Sequence, residues 1–104
     1  MKNITLDIDP MRESAAEATT VLQNLANANR LLLLCQLTQG ERSVGELEDL
    51  LDIHQPTLSQ QLGVLRTDGL VSTRRDGKQI YYSLADERVR VLLTTIYKLY
   101  CTTK

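Results

Sequence analysis

A chain of 104 residues has room for one domain with a single modest core, and its formal net charge of −1 speaks against a general polyanion binder while leaving room for a local basic patch. Phe and Trp are absent, so the aliphatic side chains, mainly leucine, must do most of the packing. No apolar run approaches the roughly 20 residues of a membrane span, and the N-terminus lacks the basic flank and apolar centre of a secretory signal. The expectation is a cytoplasmic protein without a membrane partner, whose two cysteines, Cys35 and Cys101, stay reduced unless something conditional pairs them.

Residues 1–10 read as a flexible N-terminus, and 11–104 as one folded unit with no repeat or linker. From Arg12 to Ala26, Ala15, Ala18, Val21, Leu22 and Leu25 recur at spacings of three and four, which predicts an amphipathic helix. "NAN" at 27–29 interrupts it, and Asn29 is placed to cap a second helix from Arg30 to about Thr38, ended by Gly40. That helix carries "RLLLLCQL", with Cys35 set among leucines. Ser43 followed by Glu46 forms a capping box, opening a third helix with Leu47, Leu50 and Leu51 inside.

"DIHQ" then makes a tight connection into "QPTLSQQLGVLRTDG". Pro56 fits the first turn of a fourth helix, Leu58, Leu62 and Leu65 form its buried stripe, and Gly69 ends it. Two β-rich runs flank "DGK" in "LVSTRRDGKQIYYSL", and Asp-Gly signals a hairpin. Asp86 caps a last helix with Val89, Leu92, Leu93, Ile96 and Tyr100 on one face. The order of four helices, a hairpin and a helix predicts a mainly α fold with a β-hairpin wing, a winged helix-turn-helix flanked by extra helices.

Charge is unevenly spread. Residues 41–53 are acidic, whereas "RTDGLVSTRRDGK" gathers Arg66, Arg74, Arg75 and Lys78. With Leu58, Leu62 and Leu65 inward, Gln55, Thr57, Gln60 and Gln61 face outward or lie at the flank of the fourth helix, with Ser59 beside them. Such neutral donors and acceptors suit base edges in the major groove of double-stranded DNA. Arg74, Arg75 and Lys78 would meet phosphates or enter the minor groove. A winged-helix module that binds protein rather than DNA stays open at this point.

The stretch "LSQQLGVLRTDGLVSTRRDGKQIYYSL" resembles the recognition helix and wing of the ArsR/SmtB family of bacterial repressors, and the similarity runs from about Val21 to Cys101. The resemblance implies a homodimer paired through the first and last helices, bound to a two-fold symmetric operator and released by an inducer. Gln55, Ser59 and Gln60 match the family's base- and backbone-contacting positions. Its metal motifs are missing. Ser43 and Gly45 stand where the arsenic-type site needs cysteines, the last helix offers Asp86 and Glu87 without a histidine, and the lone His54 lies in a turn. No metal or other cofactor is expected.

"RLLLLCQL" and "IYKLYC" match the positions of the two cysteines in the BigR-like subgroup of that family, which senses through a dithiol. That likeness implies that reactive sulfur species (persulfides or polysulfides) or oxidants link Cys35 to Cys101 through a disulfide or polysulfide, releasing DNA and so controlling sulfide-detoxification genes. A soft metalloid or a peroxide as trigger is the alternative. An enzyme is not expected, because a thiol oxidoreductase would bring Cys-x-x-Cys or an arginine-activated thiolate on a βαβ scaffold.

Overall fold

The computed structural model describes residues 5–101 as α1 (Ile8–Leu25), α2 (Ala28–Leu37), β1 (Arg42–Ser43), α3 (Val44–Leu51), α4 (Gln55–Thr67), β2 (Val71–Asp76), β3 (Gln79–Leu84) and α5 (Glu87–Tyr100). This is a winged helix-turn-helix with α3 and α4 as the paired helices and β2–β3 as the wing. Among the described residues no helix is long and apolar enough to cross a membrane.

Local chemistry sets most of the boundaries, and it corrects three expectations. The first helix starts at Ile8 rather than Arg12, with Asp7 at its N-cap position and Asp9 in its first turn. Both acids complement the helix dipole, and Pro10 lacks an N–H that the first turn would leave unpaired anyway. Ile8–Pro10 of the expected flexible N-terminus are thus helical, and residues 1–4 lie outside the described residues. The cap of α2 is Asn27, whose side chain accepts from the Arg30 N–H at 3.1 Å, so Asn29 lies inside the helix instead of capping it. Leu50, expected inside, is 53% exposed, because the eight-residue α3 turns Leu47 to the core and Leu50 away from it.

The capping box of α3 forms as its spacing requires. The Glu46 N–H donates to Ser43 Oγ at 3.2 Å, and the Ser43 N–H donates to Glu46 Oε1 at 2.9 Å. Ser43 is buried, so Ser43→Ala leaves a backbone donor without its partner. The expected cost is about 1 kcal/mol, read as a lower urea midpoint at unchanged slope. Asp52 ends α3 in the left-handed conformation at φ +54°, turning the chain into α4 within a few residues.

In the wing, Asp76 pairs with Gln79 across a two-residue loop whose Gly77 sits at φ +63°. A tight hairpin demands a positive φ at that first position, which glycine adopts without strain. The short β1 pairs antiparallel with β3, giving the order β1-β3-β2. Two residues carry no hydrophobic period, so nothing local announced that strand.

Leucine builds the core. Leu33, Leu34 and Leu37 of α2, Leu47 of α3, Leu58, Leu62 and Leu65 of α4 and Leu93 of α5 are all fully buried. Leu70, Val71 and Val89 close the cluster at the wing's root and the start of α5. Tyr100, expected on the inner face of the last helix, is exposed. The reason is that α5 runs past the edge of the core with its C-terminal turns.

Candidate nucleic-acid interface and dithiol site

Three inward leucines decide what α4 displays. Because Leu58, Leu62 and Leu65 are fully buried, α4 turns Gln60 directly outward with Thr57 and Ser59 at its flanks, and Gln55, the first residue of the helix, is exposed at its end. Pro56 stands in the first turn, and His54 occupies the N-cap position without a side-chain cap bond. Gln61 differs from its neighbours. It is half-buried, and its Oε1 accepts from Arg30 Nη1 at 2.8 Å.

The wing cations divide in the same way. Arg75 and Lys78 are exposed, and neither is in an ion pair among those described. Arg74 is tied down. Its Nε and Nη2 donate to the two carboxylate oxygens of Glu41 at 3.2 and 2.6 Å, and Asp76 lies 3.8 Å from its Nη1. Its guanidinium also stacks over Tyr81, 4.8 Å from the ring centre. The bond from Arg74 holds the Glu41 carboxyl below the usual carboxylate range, and the same bond pushes Arg74 further up. Glu41 lies 33 residues from Arg74, so no local pattern in the sequence marks the pair.

The two thiols sit on α2 and at the C-terminal end of α5. Cys35 is half-buried on α2, and Cys101 is exposed just past α5. Burial pushes the Cys35 thiol above its ordinary value, and the charge of a Cys101 thiolate pushes it in the same direction. The second effect requires the two groups to be within electrostatic reach. A groove of about 410 Å³ between α2 and α5 opens beside Cys35, lined also by Thr38, Thr94 and Tyr97. Arg90 of α5 donates to the Thr38 carbonyl at the end of α2, binding the two helices together one turn from Cys35. Among the described residues no three His, Cys, Asp or Glu side chains converge as a metal site.

Helices α1 and α5 leave a broad apolar surface uncovered. Ile8, Met11 and Leu22 on α1 and Val91, Tyr97, Leu99 and Tyr100 on α5 are all exposed, from 49% at Met11 to 71% at Tyr100. A lone exposed leucine needs no explanation, but this many on two adjoining helices does. Arg88 of α5 reaches Glu17 of α1 at 3.0 Å, so the two helices meet at this point.

Residues 27–73, spanning α2 to the start of the wing, match the family model described as bacterial regulatory protein, arsR family. The biofilm growth-associated repressor of Agrobacterium fabrum is 51% identical, over 92% of this chain and 82% of that protein. The crystal structure of the transcriptional repressor BigR from Xylella fastidiosa superposes with a TM-score of 0.87 at 45% identity, covering 93% of this chain and 99% of that one. The solution structure of the homodimeric winged helix-turn-helix domain Mb0332 from Mycobacterium bovis superposes at 0.76 with 31% identity, over 95% of this chain and 89% of that one. An identity of 51% over nearly the whole length, with α3, α4 and wing arranged as described, makes this chain a member of the ArsR family of bacterial transcriptional regulators, and not an enzyme.

Proposed function

We propose that the protein is a cytoplasmic, homodimeric repressor that grips double-stranded operator DNA when Cys35 and Cys101 are reduced and lets go when they are bridged. Gln55, Thr57, Ser59 and Gln60 read the major groove, with Gln61 at the edge of this set. Arg75 and Lys78 meet phosphates, while Arg74, held by Glu41, sets the angle of the wing. The exposed apolar surface of α1 and α5 pairs with its copy, as the homodimeric relative and the size of the uncovered patch support. A two-fold dimer then presents two α4 helices to successive major grooves, about one helical turn apart.

What supports the sensing half is placement: Cys35 of α2 opens into a groove walled by α5, and Cys101 stands at the C-terminal end of that same helix. One thiolate attacks the sulfane sulfur of a persulfide RSSH, taking that sulfur and releasing RSH. The second cysteine displaces hydrosulfide from the new persulfide, so two cysteine thiols and RSSH yield a disulfide, RSH and hydrogen sulfide. If both cysteines are persulfidated first, their condensation expels one hydrogen sulfide and leaves a trisulfide. A hydroperoxide instead gives a sulfenic acid and an alcohol, and the second thiol expels water. Cys101, at the surface, meets the oxidant, and the half-buried Cys35 resolves the adduct. The bridge fixes the end of α5 to α2, changing the spacing of the two α4 helices and so the fit to both half-sites. The genes so controlled belong to sulfide detoxification.

The test is binding to the DNA upstream of its own gene at two salt concentrations, with intact mass measured after polysulfide or hydroperoxide. Reduced protein binds with a strong salt dependence, and bridged protein binds about 5- to 150-fold more weakly. Added sulfur spanning both cysteines marks a sulfur sensor, whereas loss of two hydrogens under every treatment marks a general redox switch. Arg75→Gln weakens binding evenly across sequences and lowers the salt slope by about 0.9 per protomer, the mark of one lost phosphate contact. Unchanged binding in the bridged protein overturns the sensing half alone.

A further inference from the structure

Two charged residues stand at the wrong ends of their helices. Asp68 follows α4 at its C-cap, where the dipole disfavours an acid, and Arg30 lies in the first turn of α2, where it disfavours a base. Both side chains turn away from their own helix. Asn24 Nδ2 of α1 donates to Asp68 Oδ2 at 2.9 Å and to the Thr20 carbonyl at 2.9 Å. Arg30 Nε donates to the Asn24 carbonyl at 3.4 Å, and its Nη1 donates to Gln61 Oε1 at 2.8 Å.

Asn24 is 2% exposed, and apart from the capping serine it is the one buried polar side chain among the described residues. Burying an amide costs free energy unless its hydrogen bonds are made, and an apolar residue would pack there at lower cost. Its bonds therefore do something besides stabilise. The side-chain amide leads from α1 to Asp68 at one end of α4, and the main-chain carbonyl of the same residue leads through Arg30 to Gln61 in the middle of that helix. Two fixed points on a helix define both its position and its direction. Apolar contacts between smooth leucine faces leave a helix freer to slide and roll than hydrogen bonds of fixed direction do.

We propose that Asn24, Arg30, Gln61 and Asp68 form a brace that positions the recognition helix α4 against the dimerisation helix α1, and so sets the operator half-site spacing that the dimer accepts. Gln61 is in this account a positioning residue rather than a reader of bases. The brace works through α4, which makes the contacts with DNA. Its two arms leave the outward residues Gln55, Thr57, Ser59 and Gln60 untouched, so base preference within a half-site does not depend on it. The proposal rests on the reading of the protein as a DNA-binding dimer.

The test compares wild type, Asp68→Ala and Asp68→Asn on three duplexes: the DNA upstream of the protein's own gene, and that DNA with one base pair inserted or removed between the half-sites. Asp68 is exposed, so its replacement spares the core. Wild type binds the native spacing and rejects the other two. Asp68→Ala stays dimeric and melts within a few degrees of wild type. It binds the native spacing about tenfold more weakly, the scale of one lost hydrogen bond to a charged group, and discriminates less among the three duplexes. Asp68→Asn keeps an acceptor for Asn24 and restores the wild-type pattern. An Asp68→Ala protein that keeps both affinity and spacing preference overturns the brace, as does one that loses affinity equally on all three duplexes. Failure of wild type to bind any duplex overturns the DNA-binding reading instead.

Discussion

Polysulfide is expected to weaken operator binding by wild-type protein by about 5- to 150-fold, the usual span of allosteric coupling, and to leave Cys35→Ser and Cys101→Ser bound as before. A single cysteine cannot close a bridge within the chain, so either substitution removes the device without touching α4 or the wing. Each variant still takes up one sulfur or one oxygen at its remaining thiol, which intact mass records. Release of Cys35→Ser by polysulfide would show that modification of Cys101 alone suffices and would sink the bridging mechanism. The rate has a predicted pH dependence. Burial first, and the neighbouring Cys101 second, raise the Cys35 thiol, so its anion is scarce near neutrality. A step in which the Cys35 thiolate attacks therefore accelerates about tenfold per pH unit below that raised value and keeps climbing past the ordinary thiol range. The same shift has the opposite sign for stability. The stabilising contribution is fully present below the ordinary thiol value and is lost as pH rises through the raised one, since the unfolded chain gives up its proton first.

The second large effect is expected from the core. Leu62→Ala removes a fully buried side chain from the middle of α4, where it packs within the leucine cluster. The loss is about 2–5 kcal/mol, combining transfer free energy with the cavity left behind. For a domain of this size, total stability runs to about 5–15 kcal/mol, so the variant is close to half unfolded at the lower end of that range. Chemical denaturation measures it, and a cost under about 1 kcal/mol would mean the core is looser than its burial implies. Because Leu62 is buried while Thr57, Ser59 and Gln60 are exposed, whatever fraction stays folded should keep its sequence preference. Affinity then falls with the folded fraction while discrimination between sites is unchanged.

What could be read in advance was written in short-range signals. The Ser43–Glu46 pair sits at the three-residue spacing of a capping box and forms one. Leu58, Leu62 and Leu65 recur with the helical period, and burying them fixes which glutamines, threonine and serine α4 turns outward. Asp76–Gly77 demanded a hairpin loop, and the strands pair around it. Where two local solutions were nearly equal, the boundary shifted: either asparagine of "NAN" can cap, and Asn27 does. The cysteines are an intermediate case. Family likeness marked Cys35 and Cys101 as a pair, but only the packing of α5 against α2 brings one within electrostatic reach of the other.

Short-range patterns in the chain were enough for the order of the five helices and the wing hairpin, the leucine core and the polar residues of the recognition helix, because each follows from turn chemistry or from a repeat within a few residues. Tertiary structure decided which of the charged and amide side chains are available. Arg74 is held by Glu41, Gln61 by Arg30, and Asn24 by Asp68, partners 33, 31 and 44 residues apart. No periodicity links positions so distant. Their meeting depends on how helices already made are laid against one another, and that same packing leaves Leu50 and Tyr100 in solvent.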